Sequence, residues 1–368
     1  MQALEIIEAN PDTFRVVALS AGSRNIPLLI EQAKKFSVEI VGTTAERNMY
    51  GEAFGDIDVI DGQGAASQIA TIPCDIVLNA ITGSIGLGPT LNALGVGNKV
   101  ALANKESLVA GGDLVMAFGR DRIFPVDSEH SAIYQCMKAG RLSEVAKLIL
   151  TASGGPFRER DDLSHVTVQE ALNHPTWSMG EMVTINSATL VNKGLEIIEA
   201  HYLFGIPYKN IEAVIHPQSY IHSMVEYVDG STLAQASPPN MKGPIAYALS
   251  LGAQGTQGAR IKGATAPIDW TREHRWEFLP IDTVKFPSID LARRCGELGG
   301  ALPAIFNAAN EVAVHAFLQE KISFGGIMEC VESVVQKLGG GAPVKLRDLA
   351  DVSAIEDDAR RYAHEYVD

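Results

Sequence analysis

The sequence predicts an α/β protein: a parallel sheet covered by helices comes first, then a central α+β region, then a helical C-terminal region. Three observations carry this. Short apolar runs alternate with helical patterns through the first third of the chain. The middle third holds most of the histidines and has Gly-rich and Ser-rich turns between strands. From Asp290 onward the pattern is helical, ending in the amphipathic stretch AIEDDARRYAHEYV.

The elements follow in order. Gln2 to Ala9 reads as a helix, with Leu4, Ile6 and Ile7 among its apolar positions and Asn10-Pro11 as its stop. Arg15 to Ser20 (RVVALS) reads as a buried strand, Pro27 to Phe36 as a helix and Val38 to Gly42 as a strand. Asp75 to Ala80 (DIVLNA) and Lys99 to Leu102 (KVAL) are further strands, with a helix at Pro89 to Gly95 between them. Ala259 to Pro287 is irregular, holds Trp270 and Trp276, and reads as a linker lying across other domains. The expected domains are therefore 1–122, 123–258 and 288–368, with 259–287 as linker.

Bulk properties bound the function. A chain of 368 residues is too long for one ordinary core and implies two or three domains. With 46% hydrophobic and 20% charged residues it is globular, not disordered. A formal net charge of -14 argues against nucleic-acid binding but leaves room for a local anion pocket. Cys74, Cys136, Cys295 and Cys330 are widely spaced with no CxxC, which favours a reducing cytoplasm. The first residues have no signal-peptide pattern, and no apolar run reaches the ~20 residues that span a bilayer.

An open parallel sheet of this kind normally starts with a strand, a glycine turn and then a helix. This chain starts on the helix. Loss of a central first strand could cost as much as the whole ~5–15 kcal/mol stability of a domain. The expectation is that the natural product begins upstream of Met1, or that its sheet is damaged. The rival is a shorter variant whose sheet closes up.

Six segments, and two further ones, could carry chemistry. After RVVALS come Gly22, Ser23, Arg24 and Asn25, with no acid to bind a ribose 2'-hydroxyl. Arg24 offers charge for a 2'-phosphate, which favours NADP over NAD; the bland reading is a surface loop. Thr82 to Gly86 is a Gly-rich turn, weak evidence alone. Asn104 and Lys105 follow the strand KVAL, where loops line the ligand crevice of such sheets, although an Asn-Lys there is more often structural. Asp127 and Glu129 stand at i and i+2 and can chelate a hard cation if the backbone bends, although such acids are more often solvated. Asn192, Lys193 and Glu196 fall on one helix face, and Glu196 could complete an all-oxygen site suited to magnesium or manganese; the alternative is a solvent face with a local ion pair. His174, Trp177, Met179 and Gly180 lie in a loop segment whose indole can close over a substrate. Ser153 and His216 sit in polar, turn-rich segments; His216 alone is more often a structural histidine than a catalyst.

Together, and in this order, LANKESLV, PVDSEHSAI, LTASGGPFR, HPTWSMG, INSATLVNKGLEIIEAHYLF, IHPQSYIHSMV, DGSTLAQ and NAANEVAV closely resemble the 1-deoxy-D-xylulose 5-phosphate reductoisomerase family. The resemblance runs from the first helix nearly to the C-terminus. It implies a Rossmann-like NADPH domain, a central catalytic domain and a C-terminal helical domain, assembled as a V-shaped homodimer. It implies a divalent metal (Mn2+, Mg2+ or Co2+) on Asp127, Glu129 and Glu196. The substrate is then a phosphosugar, with its phosphate on Ser187, Asn192 and Lys193. Ser153 and His174 complete that pocket, and Lys105 and Ser128 meet the other substrate oxygens. Trp177 and Met179 belong to a closing flap; Lys105, Glu129, Trp177 and His216 are the expected catalytic residues. NADPH is expected at Gly22, Ser23, Arg24, Asn25, Asn104, Glu106 and Gly180. The implied reaction is a metal-assisted rearrangement, most simply retro-aldol cleavage and re-addition, followed by hydride transfer from NADPH. Two departures stand out: the family's N-terminal G-x-T-G-S-I-G turn is absent, and Asn186 stands where many members have Asp. Two other functions fit the residues: a member that binds metal and phosphosugar but is impaired in NADPH binding, and a non-redox phosphosugar isomerase or aldolase.

Overall fold

Short, mostly apolar runs bounded by polar turns form strands here, and amphipathic runs form most of the helices between them. The computed structural model describes residues 1–252, 258–341 and 344–368. Five residues of the expected central domain and two of the expected C-terminal domain (253–257 and 342–343) lie outside the described residues. The first part of the chain runs α1 (Gln2–Ala9), β1 (Ala18–Ala21), α2 (Ile26–Lys35), β2 (Ile40–Thr43), β3 (Asp58–Asp61), α3 (Ala65–Ile69), β4 (Ile76–Asn79), α4 (Leu87–Gly95), β5 (Lys99–Leu102), α5 (Glu106–Met116) and β6 (Ile123–Pro125). The middle follows as α6 (Ser128–Cys136), β7 (Val145–Ala152), α7 (Val168–Leu172), α8 (Glu181–Ala188), α9 (Val191–Phe204), β8 (Ile211–Ile215), β9 (Ile221–Tyr227), β10 (Thr232–Ala236) and α10 (Lys242–Gly252). The end is helical: α11 (Ser288–Leu298), α12 (Leu302–Leu318), α13 (Phe324–Gly339) and α14 (Leu349–Val367).

The chain divides into two units. One comprises Met1–Asn104, Ala117–Val126 and Met241–Ala264. Its parallel strands sort into two sheets, β1-β2-β3 and β4-β5-β6, where the sequence suggested one. Among the described residues β1 hydrogen-bonds only toward β2, and β4 only toward β5, so each closes its sheet as an edge. In the first sheet Val41 of the middle strand sits between Leu19 and Val59, in a core with Ile26, Leu29 and Ala33 of α2. Asn25 starts α2 by accepting a bond from the Leu28 N–H, with Pro27 in the first turn, and Lys34 and Lys35 lie at its C-terminal end. In the second sheet Val100, Ala101 and Leu102 of β5 are fully buried, as the middle strand of a parallel sheet should be.

The other unit comprises Lys105–Met116, Asp127–Asn240 and Thr265–Asp368. Its sheet has the order β10-β9-β7-β8, with β7 and β8 parallel and β9 antiparallel to β7 and β10. Leu148 and Leu150 of β7 are fully buried. On α9 a side chain at Gly194 would meet Ala292 of α11 at 2.7 Å, so the absent Cβ is what lets these helices approach. α12 is buried nearly all round because α11, α13 and α14 pack against it. Residues 259–287 hold no helix or strand among the described residues beyond the single bridge Ile215–Leu279. No helix among the described residues is long and apolar enough to cross a membrane.

Candidate metal centre

The centre is built where two chain segments turn into helices. β6 delivers the chain to Asp127, whose extended backbone (φ -55°, ψ 137°) precedes the first turn of α6. That cap turns the carboxylates of Asp127 and Glu129 toward one another, which two positions i and i+2 inside a straight helix cannot do. α9 supplies the third acid. It begins directly after Leu190, a buried residue in the left-handed region (φ 58°, ψ 11°), a conformation held by its surroundings. Asn192 and Glu196 then stand one turn apart and share a hydrogen bond.

Carboxylate oxygens of Asp127, Glu129 and Glu196 lie within 4.8 Å of one another. Two ammonium groups hold them there. Lys105 Nζ lies 2.6 Å from Asp127 Oδ2 and 3.1 Å from Glu196 Oε1, and donates to Asn192 Oδ1 at 2.9 Å. Lys193 Nζ lies 2.8 Å from Glu129 Oε1 and also bonds Glu196 Oε2. Ser128 donates to Glu129 Oε2. Three carboxylates face two ammoniums, so the cluster carries one net negative charge in a largely dry place; Glu196 is 1% exposed. An all-oxygen donor set of this charge suits a hard divalent cation such as magnesium or manganese.

The charges respond to burial and to each other. Burial works against ionised Asp127, but Lys105 and His130 override it and hold its carboxyl well below the usual range. Burial, then the charge on Glu196, pushes the Glu129 carboxyl up. Burial opposes charge on both lysines, yet the carboxylates beside them raise both above an ordinary lysine.

A second polar group is built on the turn after β7. His174 Nδ1 accepts from the backbone N–H groups of Thr176 (3.1 Å) and Trp177 (2.8 Å). Burial lowers its pKa, so the ring is neutral with its hydrogen on Nε2, 3.0 Å from Ser153 Oγ and 3.1 Å from Ser187 Oγ. Gly155 makes this possible: its φ is +63°, and a Cβ there would lie 3.0 Å from the carbonyl oxygen of Ser187. One imidazole thus lines up two hydroxyls at the end of α8, an arrangement that can present O–H donors to an anion.

The other expected residues are distributed as follows. Trp177 and Met179 lie on the loop between α7 and α8, and Gly180 is the residue before α8. The indole of Trp177 lies 6.4 Å from the ring of His222, which sequence reasoning had passed over. The signal for His222 was its place in IHSMVEY, opposite the face of Ile221 and Val225. In the other unit Gly22 follows β1, Ser23 donates its N–H to Thr44 Oγ1 and Arg24 is exposed. Asn104 is buried and spends its amide on the carbonyls of Ile81 and Gly83, bracing the turn before α4. Glu106 opens α5.

His216 is held by backbone groups on both sides of its ring. Its Nδ1 donates to the Glu277 carbonyl at 2.9 Å, and its Nε2 accepts from the N–H groups of Tyr220 and Ile221, both at 3.1 Å. The ring is fully buried and stacked on Phe278. With both nitrogens bonded to backbone, the ring braces the turn between β8 and β9.

Comparison with known proteins follows the same lines. Models described as 1-deoxy-D-xylulose 5-phosphate reductoisomerase match residues 1–112 and, for its C-terminal domain, 123–204; one described as DXP reductoisomerase C-terminal domain matches 236–362. The 1-deoxy-D-xylulose 5-phosphate reductoisomerase of Streptomyces coelicolor is 50% identical over 99% of this chain and 89% of its own length. That of Mycobacterium avium is 50% identical over 99% of this chain and 88% of its own. The solved Zymomonas mobilis enzyme in complex with NADPH superposes with a TM-score of 0.90 at 39% identity, covering 100% of this chain and 95% of that one. A second solved reductoisomerase, in complex with NADPH, fosmidomycin and magnesium, gives 0.87 at 36% identity, with 100% and 95% covered.

Two outcomes are expected. His216→Leu leaves three backbone groups unpaired and should cost at least about 1–3 kcal/mol in stability, read from the denaturant midpoint; an unchanged midpoint contradicts the structural role. Because cation binding needs ionised carboxylates and Glu129 is raised above its ordinary 4.5, Mn2+ affinity should weaken as pH falls toward that value, beginning above the ordinary range. Isothermal titration across that interval checks this, and a flat affinity speaks against it.

Proposed function

The chain belongs to the 1-deoxy-D-xylulose 5-phosphate reductoisomerase family, and on that premise we propose how its own residues divide the work. It is an NADP-dependent oxidoreductase that uses a divalent metal to convert 1-deoxy-D-xylulose 5-phosphate to 2-C-methyl-D-erythritol 4-phosphate, on the non-mevalonate route to isoprenoid precursors. The non-redox reading and the NADPH-impaired reading are set aside, because the relatives carry the reductoisomerase name and solved members hold NADPH.

The observation that carries the site assignment is the convergence of Asp127, Glu129 and Glu196 around two lysines. These acids are the metal ligands. A divalent cation there polarises the substrate carbonyl and stabilises charge developing on oxygen, while NADPH supplies the hydride. Lys105 and Lys193 act as the counter-ions of the carboxylates until cation and substrate arrive. A divalent cation brings twice the charge of an ammonium, so the lysines are displaced from the carboxylates when it binds. Lys193 then turns with Asn192 and Ser187 to the substrate phosphate, and Lys105 with Ser128 to the reacting oxygens. His174 and Ser153 hold the Ser187 hydroxyl in place. Binding the phosphate far from the reacting carbons supplies energy that orients them. The Trp177–Met179 loop closes over the substrate and keeps water from the rearranging fragments. Exposed Arg24 is suited to the 2'-phosphate of NADPH, which assigns cofactor binding to residues 1–122. Residues 123–258 then form the metal and substrate domain, 259–287 the linker and 288–368 the helical domain. We place the enzyme in the cytoplasm as a homodimer, in keeping with its widely spaced free cysteines and with its family.

Glu196→Gln tests the assignment. Turnover, followed as NADPH oxidation with substrate and Mn2+, should fall roughly a hundredfold or more while the chain remains folded. Full activity in that variant would remove Glu196 from the metal site.

A further inference from the structure

One buried group of polar atoms lies behind the carboxylates and has no assigned role above. His130, the residue after Glu129, is fully buried in α6. Its Nε2 lies 2.9 Å from the backbone carbonyl oxygen of Glu196 on α9. A carbonyl only accepts, so Nε2 carries the ring hydrogen. In the neutral ring Nδ1 is then an acceptor, and it faces Glu199 Oε2 at 3.3 Å. Neither Nδ1 nor either oxygen of Glu199 has a hydrogen-bond partner elsewhere, and Glu199 is 1% exposed. Two facing acceptors need a hydrogen between them. A hydrogen shared between Nδ1 and the Glu199 carboxyl satisfies both groups. Phe204 stacks along the ring at 6.3 Å. The imidazole is thus fixed from two sides, with one N–H left to aim.

We infer that His130 is a positioning residue for the metal centre: held by Glu199, it ties the helix of Glu129 to the turn of Glu196 and sets the spacing between ligands on two different helices. This rests on the reading of Asp127, Glu129 and Glu196 as ligands. Partners that orient metal ligands are worth about 10–100-fold in metal affinity, and here the orientation reaches Glu196 through its backbone. The geometry also says which ring atom matters. A glutamine amide can reach the position of Nε2 and donate to the Glu196 carbonyl. An asparagine amide reaches only the position of Nδ1.

The test is Mn2+ binding to the full chain, without substrate or NADPH, read from the electron paramagnetic resonance of free Mn2+. His130→Asn should weaken Mn2+ roughly tenfold, while His130→Gln stays within a fewfold of the parent. The metal-free melting temperatures of the two variants should be alike. Equal affinity in His130→Asn and the parent, or equal weakening in both variants, overturns the inference, as does a parent that takes up two Mn2+ per chain. Should His130→Asn fail to fold, Glu199→Gln and Glu199→Leu repeat the comparison from the other side of the ring. Glutamine can still donate to Nδ1 and should retain affinity, whereas leucine should lose it; identical affinities in the two overturn the inference. Glu196→Gln separates the two levels. Tight Mn2+ binding in that variant refutes the ligand assignment itself. Loss there, with none in His130→Asn, refutes only the role of His130.

Discussion

Five charges gathered in one dry place are the constraint on which the site depends. Taking a carboxylate or an ammonium out of water costs several kcal/mol even in a relaxed protein. Asp127, Glu129 and Glu196 are tolerated because Lys105 and Lys193 each bridge two of them. The cluster is one positive charge short, and that shortfall is what makes it a receptor. In the function proposed above, a divalent cation answers it and releases the ammoniums to meet an anionic substrate. Stability without the ligands and affinity for them come from the same electrostatic imbalance.

Backbone geometry holds the charges in register. The bend at Asp127 brings two acids of one segment together, and the left-handed turn at Leu190 starts α9 where Glu196 can join them. The histidines then show how one side chain serves different ends. His216 is bonded to backbone at both nitrogens and holds a turn. His174 takes backbone N–H groups on one nitrogen and lines up two serine hydroxyls with the other. His130 links α6 to α9. In each case the tautomer follows from the partner of the other nitrogen.

Much of this was legible in the sequence, and the gaps have physical causes. Lys99–Leu102 was read to the residue because a short apolar run between Gly97-Asn98 and Ala103-Asn104 has little freedom to slide. The first strand was placed at Arg15 to Ser20 but is Ala18–Ala21, because periodicity finds the apolar run while the partner, beginning at Ile40, decides where the ladder starts. Division of the parallel strands into two sheets is a matter of pairing and leaves no local mark. The sequence reading of Asp127 and Glu129 as a pair that could chelate depended on a bend, and the cap at Asp127 brings their oxygens together. Lys105 and Lys193 were read as substrate contacts; their present role as counter-ions depends on neighbours far off in the chain. His130 and Glu199 gave no signal, since each looks like ordinary helix filling until the two helices pack. For His216 the contacts are those the bland reading of the residue describes, a ring bonded to backbone at both nitrogens.

The most direct measurement is anomalous diffraction from crystals of this chain grown with Mn2+. A single strong peak is predicted roughly 2.1 Å from one oxygen each of Asp127, Glu129 and Glu196, with Lys105 and Lys193 displaced from those oxygens. A peak bound elsewhere, or an intact lysine–carboxylate cluster at saturating Mn2+, would contradict the account.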